Sequence, residues 1–551
     1  MSNVGRPTWF RWLFPVACLI AALALLQFVA PDAAVVRGKG SALPISDLQS
    51  DDQMEAQAIA VVDEAVRAYT DGTRAEVFAV MPVVTDYTER AAACATDNCW
   101  QVNIYDLDAD ATIAALVSLD QDAVLDVLYM PHMQPYLPKR LSDRAVEIAL
   151  AAPEVAQVLG DRPLAADWTP MPANLVNSVC ESGRLCVAAL FDLEDYLLWA
   201  FVDLKTETLV DISWTAIDPD PGIDRGADFK LAQRGCDPPV TITQDGWTLT
   251  YAVAGSDGLA ITNASYNGME VLTRAKLVQW NVDYGTSGFR DSTGCDGNGG
   301  FLIWPYGDTA IVTLDGGFEI RQDFRMGGWG GGCAYRYEQR YQFYADGRFR
   351  VKQGAFGKGC NNNGIYRPLV RIDMAVDGDE GDTVSQWAND EWSPLLTEAV
   401  MPDVPGPFTL NETSPEGYAW RIDDANGAGY YIEPGRGQFG DEGRGDNEYF
   451  YVVQHKPSEG DADMGAIGYC CSEPFHGPEE FVNGESVDST NVVLWYVPQS
   501  QTVPTAPDYY CWTVSGEPNP ETYPCWTGPM FHPIAEEPQS FGLYIPLVAK
   551  P

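Results

Sequence analysis

The sequence predicts an α+β protein in which two small units of helix and antiparallel sheet precede one large antiparallel β-sandwich. Residues 111–127 match residues 196–212 at an offset of 85 residues, which indicates an internal repeat. An amphipathic helix is predicted before each copy, near residues 54–69 and 141–159. From about residue 228 onward, short aromatic strands alternate with turns rich in Gly, Asn, Asp and Pro, a pattern typical of a β-sandwich.

These patterns divide the 551 residues into three folded regions, joined by connectors that are rich in turn-forming residues. The predicted segments are, in order, a signal peptide or membrane anchor at 1–35, a linker at 36–50, a first α+β domain at 51–133, a second at 134–217, a linker at 218–227, the β-sandwich at 228–535 and a tail at 536–551.

The N-terminal segment predicts export from the cytoplasm. Arg6 and Arg11 precede residues 12–30, which carry no charge, as in a signal peptide or a single membrane span. Phe28 and Pro31 disfavour cleavage at the end of this segment, which favours an uncleaved anchor. In both interpretations the protein is extracytoplasmic, either secreted or anchored to the membrane by this segment.

Acidic residues outnumber basic residues, with 78 Asp and Glu against 34 Lys and Arg, which gives a formal net charge of −44. Such a surface repels nucleic acid and anionic lipid, so nucleic acid is not expected as a partner. Hydrophobic residues make up 46% of the chain, which supports a folded protein rather than a disordered one. The charge is then most simply interpreted as a solubility trait of a secreted protein.

Thirteen cysteines occur, of which Cys18 lies in the N-terminal apolar segment. The other twelve include three local couples but no zinc-type spacing, which favours disulfides in an oxidising compartment over metal binding. The expected couples are Cys94/Cys99, Cys180/Cys186 and Cys511/Cys525.

A tyrosine-rich hairpin is the strongest motif in the sequence. Residues 335–344 alternate like a half-buried strand, residues 345–347 (Ala-Asp-Gly) form a turn, and residues 348–351 start the return strand. The stretch ends in Asp373-Met374-Ala375-Val376-Asp377-Gly378. Shorter motifs flank it in order: NGMEVLTRA at 267–275, DYG at 283–285, GCD at 294–296 and VVLWY at 492–496.

This series of motifs resembles the core of the copper amine oxidases, and it covers most of residues 50–533. The resemblance implies tandem cystatin-like α+β domains before the β-sandwich, which the internal repeat supports independently. It also implies a homodimer that oxidises primary amines with copper and with a quinone formed from a tyrosine.

Residue by residue, the resemblance places the quinone-forming tyrosine at Tyr335. The three copper positions fall on Gly364, Tyr366 and Thr502, although copper in this family requires histidine imidazoles. Next to Tyr335, three further residues of the family's pattern are replaced, by Gly331, Ala334 and Arg336. The shortened loop at 286–293 contains Asp291, but the resemblance does not place a general base there.

A calcium site is a further feature that the resemblance implies. Asp373 and Met374 match its first part, and Asn491 and Val492 stand where an acid and a carbonyl are expected. Because Ala375 and Asn491 replace carboxylates, weaker calcium affinity is expected.

The leading hypothesis is therefore a catalytically degenerate, amine-oxidase-like protein that acts as an extracytoplasmic binding or structural module for an unidentified ligand. It requires no cofactor, although calcium remains an option. The first alternative is an active primary-amine oxidase, with copper and quinone, that uses relocated ligands such as His455, His476 and His532. The second is a calcium-dependent surface protein.

Overall fold

The structure is a computed structural model. It describes residues 42–534 except 46–49, 84–89, 132, 136, 161–170, 176–179, 181–184, 194–195, 217–235, 256, 285–286, 296–301, 327–328, 330–334, 357–363, 402–412, 435–447, 460–476, 503–511, 515–520 and 524. The predicted N-terminal anchor, most of the first linker, the second linker and the tail therefore lie outside the described residues. Within the described part, no helix combines the length and the apolar character that crossing a membrane requires.

Two helices and a four-stranded antiparallel sheet form the first α+β unit. Ser50 starts the first helix, because its hydroxyl accepts a hydrogen bond from the Gln53 N–H while the Gln53 side chain accepts one from the Ser50 N–H. Ala56 and Ala60 of this helix pack against Val77 and Ile104 of the sheet. The elements are α1 (Asp51–Val62), α2 (Glu64–Thr70), β1 (Ala75–Pro82), β2 (Cys99–Asp106), β3 (Ala111–Ser118) and β4 (Ala123–Pro131), with the sheet in sequence order.

The second unit repeats this arrangement. Its elements are α3 (Lys139–Ala151), α4 (Pro153–Leu159), β5 (Met171–Leu175), β6 (Cys186–Asp192), β7 (Tyr196–Asp203) and β8 (Thr208–Ala216). The hairpins β3–β4 and β7–β8 contain the matching residues of the repeat. The prediction of one helix per unit is wrong in detail, because both helices break, at Asp63 and at Ala152. In the second unit Pro153 disfavours helical geometry at the residue before it.

The remaining strands form the large β-region. They are β9 (Val240–Gln244), β10 (Trp247–Val253), β11 (Leu259–Tyr266), β12 (Met269–Asp283), β13 (Ser287–Thr293), β14 (Leu302–Leu314), β15 (Gly317–Arg325), β16 (Arg336–Tyr344), β17 (Phe349–Ala355), β18 (Ile365–Met374), β19 (Asp382–Ala388), β20 (Glu391–Pro394), β21 (Ala399–Met401), β22 (Trp420–Asp423), β23 (Gly429–Glu433), β24 (Glu448–Gln454), β25 (Asp488–Thr490), β26 (Val492–Pro498), β27 (Ser500–Gln501), β28 (Trp512–Val514), β29 (Glu521–Tyr523), β30 (Cys525–Thr527) and β31 (Met530–Pro533).

Most of these strands belong to two antiparallel sheets that face each other. The first sheet has the order β9-β10-β11-β12-β18-β26-β24-β21. The second has the order β14-β15-β16-β17-β31-β23-β22-β19-β20. Trp247 and Trp280 of the first sheet share one core with Tyr341 and Phe349 of the second. The prediction of a large antiparallel sandwich is confirmed, whereas the cystatin-like assignment of the two small units stays a prediction.

The tyrosine hairpin is present in the second sheet. Strands β16 and β17 pair from Phe343 opposite Phe349 to Tyr337 opposite Ala355. Gly347 has a φ of 87°, which the turn requires and which glycine adopts without a steric penalty. The segment that ends in Asp373-Met374 is not part of this hairpin, because strand β18 lies in the first sheet between β12 and β26.

Disulfides join Cys94 to Cys99 and Cys180 to Cys186, which confirms two of the predicted couples. A third joins Cys236 to Cys295 across 59 residues, and the sequence did not predict it. Cys525 is also disulfide-bonded, and its predicted partner Cys511 lies outside the described residues.

Candidate functional site

Tyr335 lies in the core between the two sheets, directly before strand β16. Its side chain is 1% exposed, and the edge of the Phe289 ring approaches it with the ring centroids 5.0 Å apart. Its hydroxyl shares a hydrogen bond of 2.8 Å with the hydroxyl of Tyr284, from the DYG motif. The position that the resemblance assigns to the quinone precursor is thus a buried phenol with a neutral partner.

Tyr335 is one of four tyrosines that meet here, and we call them, together with Asp291, the tyrosine cluster. Tyr337 is stacked beside Tyr335 with the ring centroids 6.3 Å apart. Tyr366 approaches both rings, at 6.5 Å from Tyr335 and 6.4 Å from Tyr337. Tyr284 completes the set, and both sheets contribute to it, since Tyr337 lies on β16 and Tyr366 on β18.

Asp291 supplies the only carboxyl of this cluster, and it accepts a hydrogen bond from the Tyr337 hydroxyl. Its side chain is completely buried, and this burial raises its pKa to about 7, although the hydrogen bond from Tyr337 opposes the rise. Burial likewise raises the pKa values of Tyr335, Tyr337 and Tyr366 well above that of an exposed phenol. The three phenols are therefore neutral near pH 7, and the Asp291 carboxyl is protonated below about pH 7.

Of the three positions that the resemblance assigns to copper, Tyr366 belongs to this cluster, and Gly364 and Thr502 lie beside it. The N–H of Thr502 donates to the carbonyl of Gly364 at 2.9 Å, and the N–H of Gly364 donates to the Thr502 hydroxyl at 2.9 Å. That hydroxyl in turn donates to the Gly364 carbonyl at 3.1 Å. Tyr366 follows on β18 and contacts Tyr335.

These residues do not fit a copper ion. Glycine offers no side-chain donor, and the Thr502 hydroxyl already bonds to the backbone of Gly364. Burial raises the pKa of Tyr366, which disfavours the phenolate form that metal binding requires. Imidazole, the donor that suits copper, is missing from all three positions.

The histidines that the relocated-ligand alternative invokes contact other groups. Nδ1 of His455 lies 2.9 Å from a guanidinium nitrogen of Arg371, so it accepts that hydrogen bond. Nε2 of His532 lies 2.8 Å from the exposed Glu433 carboxylate, on the paired strands β31 and β23 of the second sheet. His476 lies outside the described residues. Among the residues that the structure describes, no group of three His, Cys, Asp or Glu side chains is arranged to hold a metal.

The residues that the resemblance assigns to calcium lie on or beside two paired strands, since Asp373 of β18 lies opposite Val493 of β26. Asn491 and Val492 therefore lie near Asp373, and Met374 follows it. Arg371 was not anticipated in this place: its buried guanidinium donates to the Asp373 carboxylate at 2.9 Å. A cation bound here would compete with a guanidinium for that carboxylate.

Sequence reasoning missed Tyr337 and left Asp291 without a role. Tyr337 could have been found, because side chains two residues apart on a strand face the same side and Tyr335 was already placed. The role of Tyr284 as the partner of Tyr335 and that of Asp291 as the acceptor for Tyr337 depend on contacts across 51 and 46 residues, and the raised pKa of Asp291 depends on its burial in the core. No local pattern in the sequence carries these properties.

No family model and no curated protein matches the sequence. Among solved structures, the chain is similar to a copper-containing benzylamine oxidase from Hansenula polymorpha, with 14% identity, 88% of this chain and 97% of that chain covered, and a TM-score of 0.51. Lysyl oxidase from Pichia pastoris follows with 11% identity, coverage of 90% and 91%, and a TM-score of 0.49. The amine oxidase of Aspergillus nidulans has 12% identity, coverage of 90% and 91%, and a TM-score of 0.40.

The chain thus has a fold similar to that of copper amine oxidases. This statement rests on the benzylamine oxidase, and at 14% identity it concerns the fold alone. The large β-sandwich that the motif series implied is confirmed, whereas the cystatin-like domains that it also implied stay a prediction.

Proposed function

We propose that this chain is an amine-oxidase-like protein that has lost copper and quinone chemistry and acts outside the cytoplasm as a binding or structural module. The observation that carries the proposal is the hydrogen bonding between Gly364 and Thr502. Where ligands to copper would be required, the chain bonds to itself through a hydroxyl and backbone groups. Gly364 and Thr502 thus present no side-chain donor to a metal that is not already engaged in a hydrogen bond.

The surroundings of Tyr335 support the same conclusion. Copper forms the quinone from its tyrosine in the resembling family, so a tyrosine without copper remains a tyrosine. Tyr335 is buried, bonded to Tyr284 and enclosed by Phe289, as expected for a packed core residue.

Location outside the cytoplasm is supported by the disulfides, which persist in oxidising compartments. Anchoring by residues 1–35 and homodimer formation are further parts of the proposal. Detergent-dependent extraction of the full chain tests the anchor, and sedimentation analysis of the extracted protein tests the dimer.

Copper loading tests the loss of chemistry. The full chain is incubated with Cu²⁺ and oxygen, and bound metal, redox-cycling quinone stain and the mass of the Tyr335 peptide are measured. Hydrogen peroxide release is measured with benzylamine as the probe, and the Hansenula benzylamine oxidase serves as the positive control. We expect no stoichiometric copper, no stain, an unmodified tyrosine and no peroxide. About one copper per chain, with a stain that Tyr335→Phe abolishes, would establish the oxidase alternative instead.

The effect of calcium on the melting temperature is a separate test of this proposal. Because Arg371 already donates to Asp373, we expect calcium to change the melting temperature no more than magnesium does. The comparison with magnesium is needed because a chain with a net charge of −44 responds to any divalent cation. A calcium-specific rise that Asp373→Asn removes would favour the calcium-dependent surface protein.

A further inference from the structure

A cavity of about 430 Å³ opens on the outer face of the second sheet, on the opposite side of β16 from the tyrosine cluster. Strands β14, β15 and β16 form its floor, and Tyr306, Phe356 and Trp526 form aromatic walls. This volume is in the range of sites for small molecules. Because the cavity and the tyrosine cluster lie on opposite faces of one strand, the inference does not depend on the proposed function.

The Trp526 side chain packs against the outer face of the sheet, where a glycine leaves space for it. A Cβ atom at position 354 would lie 2.4 Å from the Trp526 ring, so glycine at this position lets the indole lie on β17. The Arg340 guanidinium lies 3.9 Å from the ring centroid, and Lys352 lies 4.8 Å from it. Contacts from two strands thus hold the indole against the sheet.

The outer face of β15, β16 and β17 is cationic in a strongly acidic chain. Alternate residues on these strands provide six cations against three carboxylates, and Asp308 adds a fourth carboxylate at the cavity. The cations are Arg321, Arg325, Arg336, Arg340, Arg350 and Lys352, and the carboxylates on the strands are Glu319, Asp323 and Glu338. In the whole chain the ratio is reversed, at 34 Lys and Arg to 78 Asp and Glu.

Three of these cations form a row across the strands. Arg321 lies directly opposite Arg340, and Arg340 lies directly opposite Lys352. Like charges in directly opposite positions destabilise a sheet unless another charge compensates them. Glu338 compensates Arg340, with which it forms hydrogen bonds of 3.0 Å.

Arg321 lines the cavity at the end of this row. Its side chain is half-buried, and it has no hydrogen-bond or ion-pair partner among the residues that the structure describes. Arg325 and Arg336, in contrast, both bond to Asp323. A guanidinium in this position is suited to bind a carboxylate through two parallel hydrogen bonds.

We propose that this cavity binds a small organic carboxylate, with the carboxylate on Arg321 and the apolar body against Trp526 and its neighbouring aromatic side chains. A monoanion fits better than a phosphate dianion, because Asp308, Asp323 and Glu338 also line the cavity and would repel the second charge.

Titration calorimetry with 2-naphthoate tests the proposal on the full chain, and 2-naphthamide is the matched neutral probe. We expect saturable binding of naphthoate to the unaltered protein. Binding of the amide to the unaltered protein, and binding of naphthoate to Arg321→Gln, should each be at least about tenfold weaker, since both changes remove the charge-assisted pair. Arg348→Gln, an exposed arginine paired with Asp346 at the hairpin turn, should bind like the unaltered protein. Trp526→Ala should weaken both probes, and circular dichroism verifies that each variant is folded.

Equal affinity for the acid and the amide, or unchanged binding by Arg321→Gln, would overturn the proposal. Absence of saturable binding by the unaltered protein would overturn it as well. Competition decides the anion class: displacement of naphthoate by inorganic phosphate at lower concentration than by acetate would exclude the carboxylate assignment. None of these outcomes depends on copper, so they are independent of the test at Tyr335.

Discussion

The two faces of strand β16 have opposite chemistry. Tyr337 and Tyr341 point into the core, where burial keeps their phenols neutral and Asp291 has a raised pKa. Arg336 and Arg340 point outward, where each pairs with a carboxylate and lies over an aromatic ring. The inner face thus disfavours charged side chains, whereas the outer face carries paired charges around a cavity. Under the two proposals made above, ligand binding belongs to the outer face, while the inner face, where the resemblance places the family's chemistry, serves packing.

The largest effect on the free energy of unfolding is expected from a substitution on the inner face. Tyr337→Ala removes a ring stacked on Trp280 at a centroid distance of 4.4 Å and leaves Asp291 without its donor. We expect the free energy of unfolding to fall by about 3–5 kcal/mol. Tyr337→Phe keeps the ring and loses only the hydrogen bond, so about 1–3 kcal/mol is expected. Urea unfolding followed by circular dichroism measures both values, and equal losses would show that the ring contact contributes little.

The raised pKa of Asp291 on the inner face predicts that the free energy of unfolding depends on pH. Its pKa is about 7 in the folded protein and near 3.8 in the unfolded chain, so the unfolded chain releases the proton first. The free energy of unfolding therefore falls as pH rises from about 4 to about 7, by at most about 1.4 kcal/mol per pH unit, and this contribution is constant above that range.

Asp291→Asn should remove this part of the slope. Some dependence should remain, because burial also raises the pKa of Asp382 to about 7. Asp346→Asn, in the exposed hairpin turn, is the matched control and should retain the slope. Urea unfolding at several pH values measures the slope, and an unaltered slope in Asp291→Asn would contradict a protonated buried carboxyl.

A smaller effect is expected at Gly364, beside the tyrosine cluster. A Cβ atom there would lie 2.7 Å from the Tyr284 ring, so that ring must shift in Gly364→Ala. We expect a loss of about 1–3 kcal/mol in the free energy of unfolding. Combination with Tyr284→Ala should cost less than the sum of the two single changes, because the overlap disappears. Additive losses in this double-mutant cycle would show that the two residues do not compete for space.

The smallest effect is expected on the outer face. Arg340→Gln removes a half-buried ion pair with Glu338 and the contact with the Trp526 ring, for which about 1 kcal/mol or less is expected. The loss should shrink at high salt, since the pair is partly solvated. Thermal unfolding at two salt concentrations measures it. A loss as large as that of Tyr337→Ala would erase the proposed difference between the two faces.

Local patterns predicted much of the fold. Alternation along residues 335–344 identified β16, the Asp-Gly turn identified the hairpin, and the repeat identified the equivalent hairpins of the two small units. The assignment of β18 to the opposite sheet was beyond these patterns, because a strand's own sequence does not specify which strands flank it. The same reason explains why the disulfide between Cys236 and Cys295 and the pair of Arg371 with Asp373 were missed.

By itself the sequence determined which chemical groups are available: Tyr335 is present, and the residues that the resemblance assigns to the copper positions, Gly364, Tyr366 and Thr502, carry no imidazole. Side-chain identity is enough for that statement, because folding changes which groups meet and not which groups the chain contains. Only the tertiary structure decided that the pKa of Asp291 is raised and that Arg321 lies in a cavity beside Trp526. Both properties depend on which atoms exclude or admit water, and those atoms come from strands that are far apart in the chain.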